Sequence, residues 1–186
     1  MKTLSKKMAE TIEKRQDHLT KLCSLLVQAR SENPPGDVSE AAKVCEDFLK
    51  AEDIGHQELE PEKGHISVIG SVGKDKPSLI LCGHIDVVPA GDTAKWTVPP
   101  YKGEVRQGRL YGRGSTDQKA GVAAQLMAIA AAKEFENELH GKVTVANVPD
   151  EEAQGPAGVI WLVQNKKLTG DACLISEPTG YSDGHY

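Results

Sequence analysis

Basic charge is in short supply in this sequence of 186 residues. Lys and Arg number 22 against 27 Asp and Glu, the net charge is −5 at pH 7, and the basic residues gather into no stripe. That balance argues against a nucleic-acid partner. No apolar run approaches the length needed to cross a bilayer, so no membrane span is expected. The opening stretch, MKTLSKKMAETIEKRQDHL, lacks the apolar core of a signal peptide. The four cysteines (Cys23, Cys45, Cys82 and Cys173) are scattered, and no two form a CxxC pair. Each falls inside a predicted helix or strand, which predicts buried free thiols in a reducing cytosol rather than disulfides or metal ligands. Internal repeats and low-complexity tracts are absent.

What is present is the composition of a globular protein, 39% hydrophobic and 26% charged, with enough chain for one core. Met8, Ile12, Leu19, Leu22, Leu26 and Ala29 fall on one stripe, predicting a long amphipathic helix over 6–31, its charged face (Glu10, Glu13, Lys14, Arg15) simply solvated. Asn33-Pro34-Pro35-Gly36 breaks it. A second helix is expected from a cap at Asp37 to Ala51. Strands are expected near His56–Leu59 and His65–Ile69, a turn over Ser71–Pro77, and a strand buried on both faces at Leu79–Cys82. Val87–Pro100 reads as a loop carrying Trp96, and Tyr101–Tyr111 as a short hairpin. Gln118–Phe135 is Ala-rich and apolar nearly all round, the pattern of a central buried helix. Lys142–Val148 reads as a buried strand. Pro156–Gln164 reads as a helix packing through Val159, Ile160, Leu162 and Val163, and Ala172–Ile175 as a last apolar strand. Alternating strands and helices predict an α/β layered fold with a mostly parallel sheet.

Polar clusters follow three of the buried strands. His84-Ile85-Asp86 follows the first, Pro149-Asp150-Glu151-Glu152 the second and Ser176-Glu177 the third, while Asp117 opens the central helix. Ligand sites in parallel α/β sheets form at such strand ends. His84 and Asp86, two residues apart, point to the same side, an arrangement that suits a metal-binding imidazole held from behind by a carboxylate. Singly, each residue has an ordinary reading: a core histidine, a helix cap, an acidic turn. Together they predict a carboxylate-rich metal site with one imidazole, a donor set for zinc, cobalt or manganese. So many carboxylates around one histidine call for cations, and two metals about 3.5–4 Å apart with one bridging carboxylate are the usual arrangement. Of the adjacent Glu151 and Glu152, one is then free to bind metal and the other to take a proton from water.

GHIDVVPAGD (Gly83–Asp92), Trp96 with Pro99-Pro100-Tyr101, LYGRGSTDQKAG (Leu110–Gly121), PDEE (Pro149–Glu152) and ISEPT (Ile175–Thr179) occur in that order. As a set they resemble the zinc-dependent amidohydrolases and metallopeptidases that include acetylornithine deacetylase, succinyl-diaminopimelate desuccinylase, aminoacylase and carboxypeptidase G. The resemblance spans about residues 5–180. It implies a three-layer, di-zinc exopeptidase-like catalytic domain of which residues 1–186 are the N-terminal part, without the dimerisation domain and the C-terminal catalytic part. It implies two zinc ions in a complete site, with cobalt or manganese as substitutes, and a homodimer for the full-length form. His84 is implied as ligand to the first metal, Asp86 as its orienting partner and Asp117 as the bridge, with a cis peptide to Gln118. Glu151 is implied as general base, Glu152 as ligand to the second metal and Glu177 as ligand to the first. The family's final histidine ligand has no matching motif here. His185 lies only eight residues after Glu177, and it is not assigned to that role.

The implied activity is hydrolysis of an amide bond in an N-acyl amino acid or small peptide, in the cytoplasm, with this chain alone incomplete. A dipeptidase or carboxypeptidase of the same family is the alternative within the enzyme class. A non-catalytic metal-binding fragment is the alternative outside it, and Glu151 speaks against that, since a pure metal module has no need of a carboxylate beside the ligand Glu152. The negative charge selects no substrate, because several carboxylates are committed to metal.

Overall fold

The computed structural model describes residues 2–179. In chain order it contains α1 (Leu4–Lys14), α2 (Gln16–Gln28), α3 (Ser39–Ala51), β1 (His56–Glu62), β2 (His65–Gly73), β3 (Ser78–His84), β4 (Glu104–Arg106), β5 (Arg109–Tyr111), α4 (Lys119–Glu134), β6 (Lys142–Val148), α5 (Val159–Gln164) and β7 (Ala172–Ile175). Five strands form one sheet in the order β1-β2-β6-β3-β7, and β4 and β5 form a separate hairpin.

The sheet alternates its side chains between two apolar layers. Leu81 and Val145 face the larger one, built with Leu22, Leu26, Leu49, Leu126 and Ile129 of the α2–α4 helices. Ile80, Cys82, Ala146 and Val148 face a smaller one closed by Leu162 of α5 and by Leu168. Helices therefore cover both faces, giving the expected three-layer α/β architecture. The central helix α4 is buried on most of its circumference, as its unbroken apolar composition requires. The sheet is mixed: β3 runs parallel to β6 and β7, while β1–β2 and β2–β6 are antiparallel. The parallel half is the half that carries the polar clusters. Because β3, β6 and β7 run the same way, the residues that follow them emerge at one end of the sheet.

Several local expectations change. The first helix is two, since Arg15 leaves helical backbone (φ −110°, ψ 21°). Its guanidinium turns away from solvent and donates to Glu52 Oε2 at 3.0 Å, so this part of the charged face is paired rather than solvated. β2 runs on to Gly73, shortening the turn that was expected over Ser71–Pro77. On α5 only Leu162 is buried. Val159, Ile160 and Val163, expected to pack, are 39%, 44% and 57% exposed, because the helix is one short turn-and-a-half lying on the sheet through a single face. β7 pairs with β3 and, among the described residues, has both faces uncovered, with Leu174 and Ile175 at 52% and 63% exposure. Cys173 on this strand is accordingly exposed, whereas Cys23, Cys45 and Cys82 are buried free thiols as expected.

One glycine fixes how closely α4 approaches the sheet. A Cβ on Gly83, in β3, would lie 2.6 Å from Gln118 Oε1 and 3.0 Å from Val122. Gln118 is itself fully buried and hydrogen-bonded, so it has little room to yield. Gly83→Ala is expected to destabilise the chain by about 1–3 kcal/mol through overpacking, measured as a lowered urea midpoint with an unchanged m-value.

Candidate metal centre

His84 is the last residue of β3 and is almost wholly buried. Its Nδ1 donates to the backbone oxygen of Asp86 at 3.0 Å and lies 3.4 Å from Asp86 Oδ1. With only acceptors on that side, the Nδ1 proton stays there and Nε2 points outward. Nε2 meets Asp117 Oδ1 at 3.0 Å, Glu151 Oε2 at 3.7 Å and Glu177 Oε2 at 3.7 Å. His84, Asp117 and Glu152 each offer a ligand atom, and all three atoms lie within 4.8 Å of one another. The six side chains singled out in the sequence thus meet at one place, delivered by the ends of β3, β6 and β7 and by the segment leading into α4.

Asp86 is fully buried. Its oxygens accept from the backbone N–H of Glu151 at 3.2 Å, the backbone N–H of Glu152 at 3.1 Å and Asn33 Nδ2 at 2.9 Å. The carboxylate behind the histidine therefore also holds the peptide of the two glutamates. Burial acts to raise the Asp86 pKa, but His84, Asn33 and the Glu151 N–H together leave it below its ordinary value.

Two buried side chains were missed by sequence reasoning. In the sequence Gln118 reads only as the start of a helix and as one side of a cis peptide. The Asp117–Gln118 bond is indeed cis. Gln118 Oε1 accepts from the His84 backbone N–H at 3.1 Å and from Ser176 Oγ at 3.0 Å, and Nε2 donates to Glu177. In the sequence Asn33 reads only as part of a helix breaker. The signal available for both was adjacency, Gln118 to Asp117 and Asn33 to a Pro-Pro turn, and neither says which strand end the amide will reach. His185 lies outside the described residues.

The donor chemistry fits a cation. Burial and the Asp117 charge raise the pKa values of Glu152 and Glu177. Among the described residues, Asp117, Glu151, Glu152 and Glu177 have no Lys or Arg partner, and His84 is the one base among them. Burial acts to lower the His84 pKa, but Asp86, Glu151 and Asp117 outweigh it and hold it up at about 9. Without metal, His84, Glu152 and Glu177 favour protons. Divalent ions would displace those protons, so binding releases them and tightens as pH rises.

The family model described as Peptidase family M20/M25/M40 matches residues 80–186, more than half of the chain. The chain belongs to this family. Among curated relatives, a succinyl-diaminopimelate desuccinylase from Rhodospirillum centenum is 41% identical over 111 residues, covering 58% of this chain and 29% of the relative. Human carnosine dipeptidase 1 has the same fold, with a TM-score of 0.77 at 24% identity over 97% of this chain and 42% of that one. A Bacillus subtilis protein described as a dinuclear metal binding peptidase from the M20 family aligns with a TM-score of 0.61 at 21% identity, over 86% of this chain and 43% of that one. The M20 chain described here spans less than half the length of the curated relatives it matches.

The raised His84 pKa has a sign that can be tested. A histidine whose folded pKa exceeds its ordinary 6.5 contributes stability that is fully present below about pH 6.5 and is lost as pH climbs towards about 9. Glu152 and Glu177, also raised, act in the same direction. The buried Lys119 is lowered by desolvation to about 8, so its cost is constant below that pH and does not offset the trend. The metal-free chain should therefore lose stability between about pH 6.5 and about pH 8. His84→Gln should flatten that slope, as read from urea midpoints in the presence of a chelator. A midpoint that rises over this window would contradict the assignment.

Proposed function

We propose that this chain is the N-terminal part of the catalytic domain of a metal-dependent amidohydrolase that cleaves the amide bond of an N-acyl amino acid. The observation that carries this reading is the convergence of the His84, Asp117 and Glu152 ligand atoms within 4.8 Å of one another, with Glu151 and Glu177 each 3.7 Å from the imidazole. An imidazole with carboxylates of this kind suits zinc, with cobalt or manganese able to substitute. In the proposed assignment His84 and Glu177 would hold a first ion, Glu152 a second, and Asp117 would serve both.

The metal pair, when bound, supplies the positive charge that polarises the acyl carbonyl and acidifies the attacking water. The chain's residues do the rest. Asp86 keeps the proton on His84 Nδ1 and leaves Nε2 as the donor atom. It also anchors the Glu151 and Glu152 peptide, so that base and ligand are placed by one buried carboxylate. Glu151, half-exposed and beside the imidazole, takes a proton from water as it attacks the carbonyl and returns it to the departing amine. Removal of its carboxylate typically costs about 10²–10⁴ in rate.

The deacylase reading is favoured over a dipeptidase by the desuccinylases among the curated relatives, one of them at 41% identity. The dipeptidase similarity lies below 25% identity and bears on fold alone. In this reading the remainder of the enzyme covers β7, which among the described residues is exposed, and closes over a site whose Asp117, Glu151 and Glu177 side chains are 48%, 50% and 44% exposed. That remainder would supply the last metal ligand, the grip on substrate and a dimer interface. The cytoplasm is the proposed compartment, supported by Cys23, Cys45 and Cys82 as buried free thiols.

The roles separate experimentally. Native mass spectra of the chain with excess zinc, before and after chelation, are expected to show metal bound by the parent and by Glu151→Ala, and none by Asp117→Ala. In a full-length context Glu151→Ala should keep its metal and lose at least about 100-fold in kcat on N-acyl amino acids. Equal metal loss in the two variants would remove the distinction between base and bridge.

A further inference from the structure

The turn after α2 does more than end a helix. Ser31–Asn33 lies alongside Ile85–Val87 as a short parallel strap. Val87 N–H donates to Ser31 O at 2.9 Å, Asn33 N–H donates to Val87 O at 2.8 Å, and Ser31 Oγ donates to Ile85 O at 2.6 Å. The strap fixes the Asn33 backbone against the segment that carries Asp86. Asn33 is 6% exposed. Its Nδ2 lies 2.9 Å from Asp86 Oδ2 and 3.3 Å from Asp150 Oδ1. Both partners accept and neither donates when ionised, so the amide nitrogen, with its two hydrogens, is the end that faces them.

Asp150 is the residue before Glu151, 7% exposed and in a left-handed backbone conformation at φ 67°. Its other oxygen, Oδ2, accepts from the Ala157 N–H at 3.0 Å. His65 Nε2 is farther, 3.9 Å from Oδ1. One amide group therefore stands between two buried carboxylates, one on the β3 end and one on the β6 end. Without it those buried carboxylates each lose a donor.

We propose that Asn33 is a positioning residue for the metal centre. By donating one N–H to Asp86 and the other to Asp150, it sets the spacing between the His84 end of β3 and the Glu151–Glu152 turn after β6. The proposal rests on the reading above that these residues form a metal and proton-transfer centre. The juxtaposition itself does not depend on metal.

The test uses the metal-free chain and two variants. Asn33→Ala removes the donor, and Asn33→Asp keeps the shape while replacing the donor by an acceptor. Amide hydrogen exchange followed by NMR should show the Glu151 and Glu152 N–H groups, which donate to Asp86, exchanging roughly tenfold faster in either variant, the loss of about one hydrogen bond to a charged group. The amides of Val145 and Leu81 should keep their parent rates once corrected for global stability. Zinc affinity, measured by chelator competition, should fall about 10–100-fold in the variants. A core variant of similar global stability loss, Leu168→Ala, should retain it. Exchange at Glu151 and Glu152 that rises no more than at Val145, in whichever variant folds, overturns the proposal. So does an equal loss of zinc affinity in Leu168→Ala. A parent chain that binds no zinc but shows the selective exchange change sustains the positioning role and sinks the metal reading instead.

Discussion

Burying a carboxylate costs several kcal/mol unless donors replace the lost water, and Asp86 sits where that constraint organises everything around it. It is fully buried at the point where β3 ends. Its donors come from two distant places: Asn33 from the turn after α2, and the backbone N–H groups of Glu151 and Glu152 from the turn after β6. His84 Nδ1 approaches from its own strand. None of these partners can move away without leaving the charge uncompensated. The requirement to satisfy one buried anion thus draws two strand ends and one loop to a common point, and the candidate ligand atoms are placed as a consequence.

Gln118 performs a neutral version of the same task on the other side. It bonds the His84 backbone, Ser176 and Glu177, joining the end of β3 to the end of β7 from the residue that precedes α4. Gly83 permits this by leaving no Cβ in the way. The charged atoms of Asp117, Glu151 and Glu177 then project into a half-open space in front of His84. The arrangement is rigid behind and exposed in front. That asymmetry suits a site in which the protein fixes ligand geometry and substrate approaches from the other side.

Much of this was legible in the residues. The strands Lys142–Val148 and Ala172–Ile175 were readable because each is a short, mostly apolar run of strand length, and α4 because it is apolar on every side. The site was readable because polar residues that interrupt such runs at their ends are costly unless they serve something. Other features depended on packing the sequence does not state. The break at Arg15 needs Glu52, 37 positions on, as its partner. The exposure of Val159, Ile160 and Val163 follows from how a short helix lies on a sheet, and periodicity gives the same pattern whether or not anything covers it. The antiparallel pairing of β2 with β6 is likewise a choice of neighbour that neither strand encodes alone.

Sequence by itself determined the chemistry: one imidazole, the carboxylates, and their positions after apolar runs that became strands. Those are properties of local composition and alternation, which act over a few residues. Only the tertiary structure decided which atoms meet. The bridge from Asn33 to Asp86 and Asp150 spans 53 and 117 positions, and the link from Gln118 to Glu177 spans 59. Such contacts are selected by the need to satisfy buried polar groups after the sheet has assembled. No periodicity in the chain records that need.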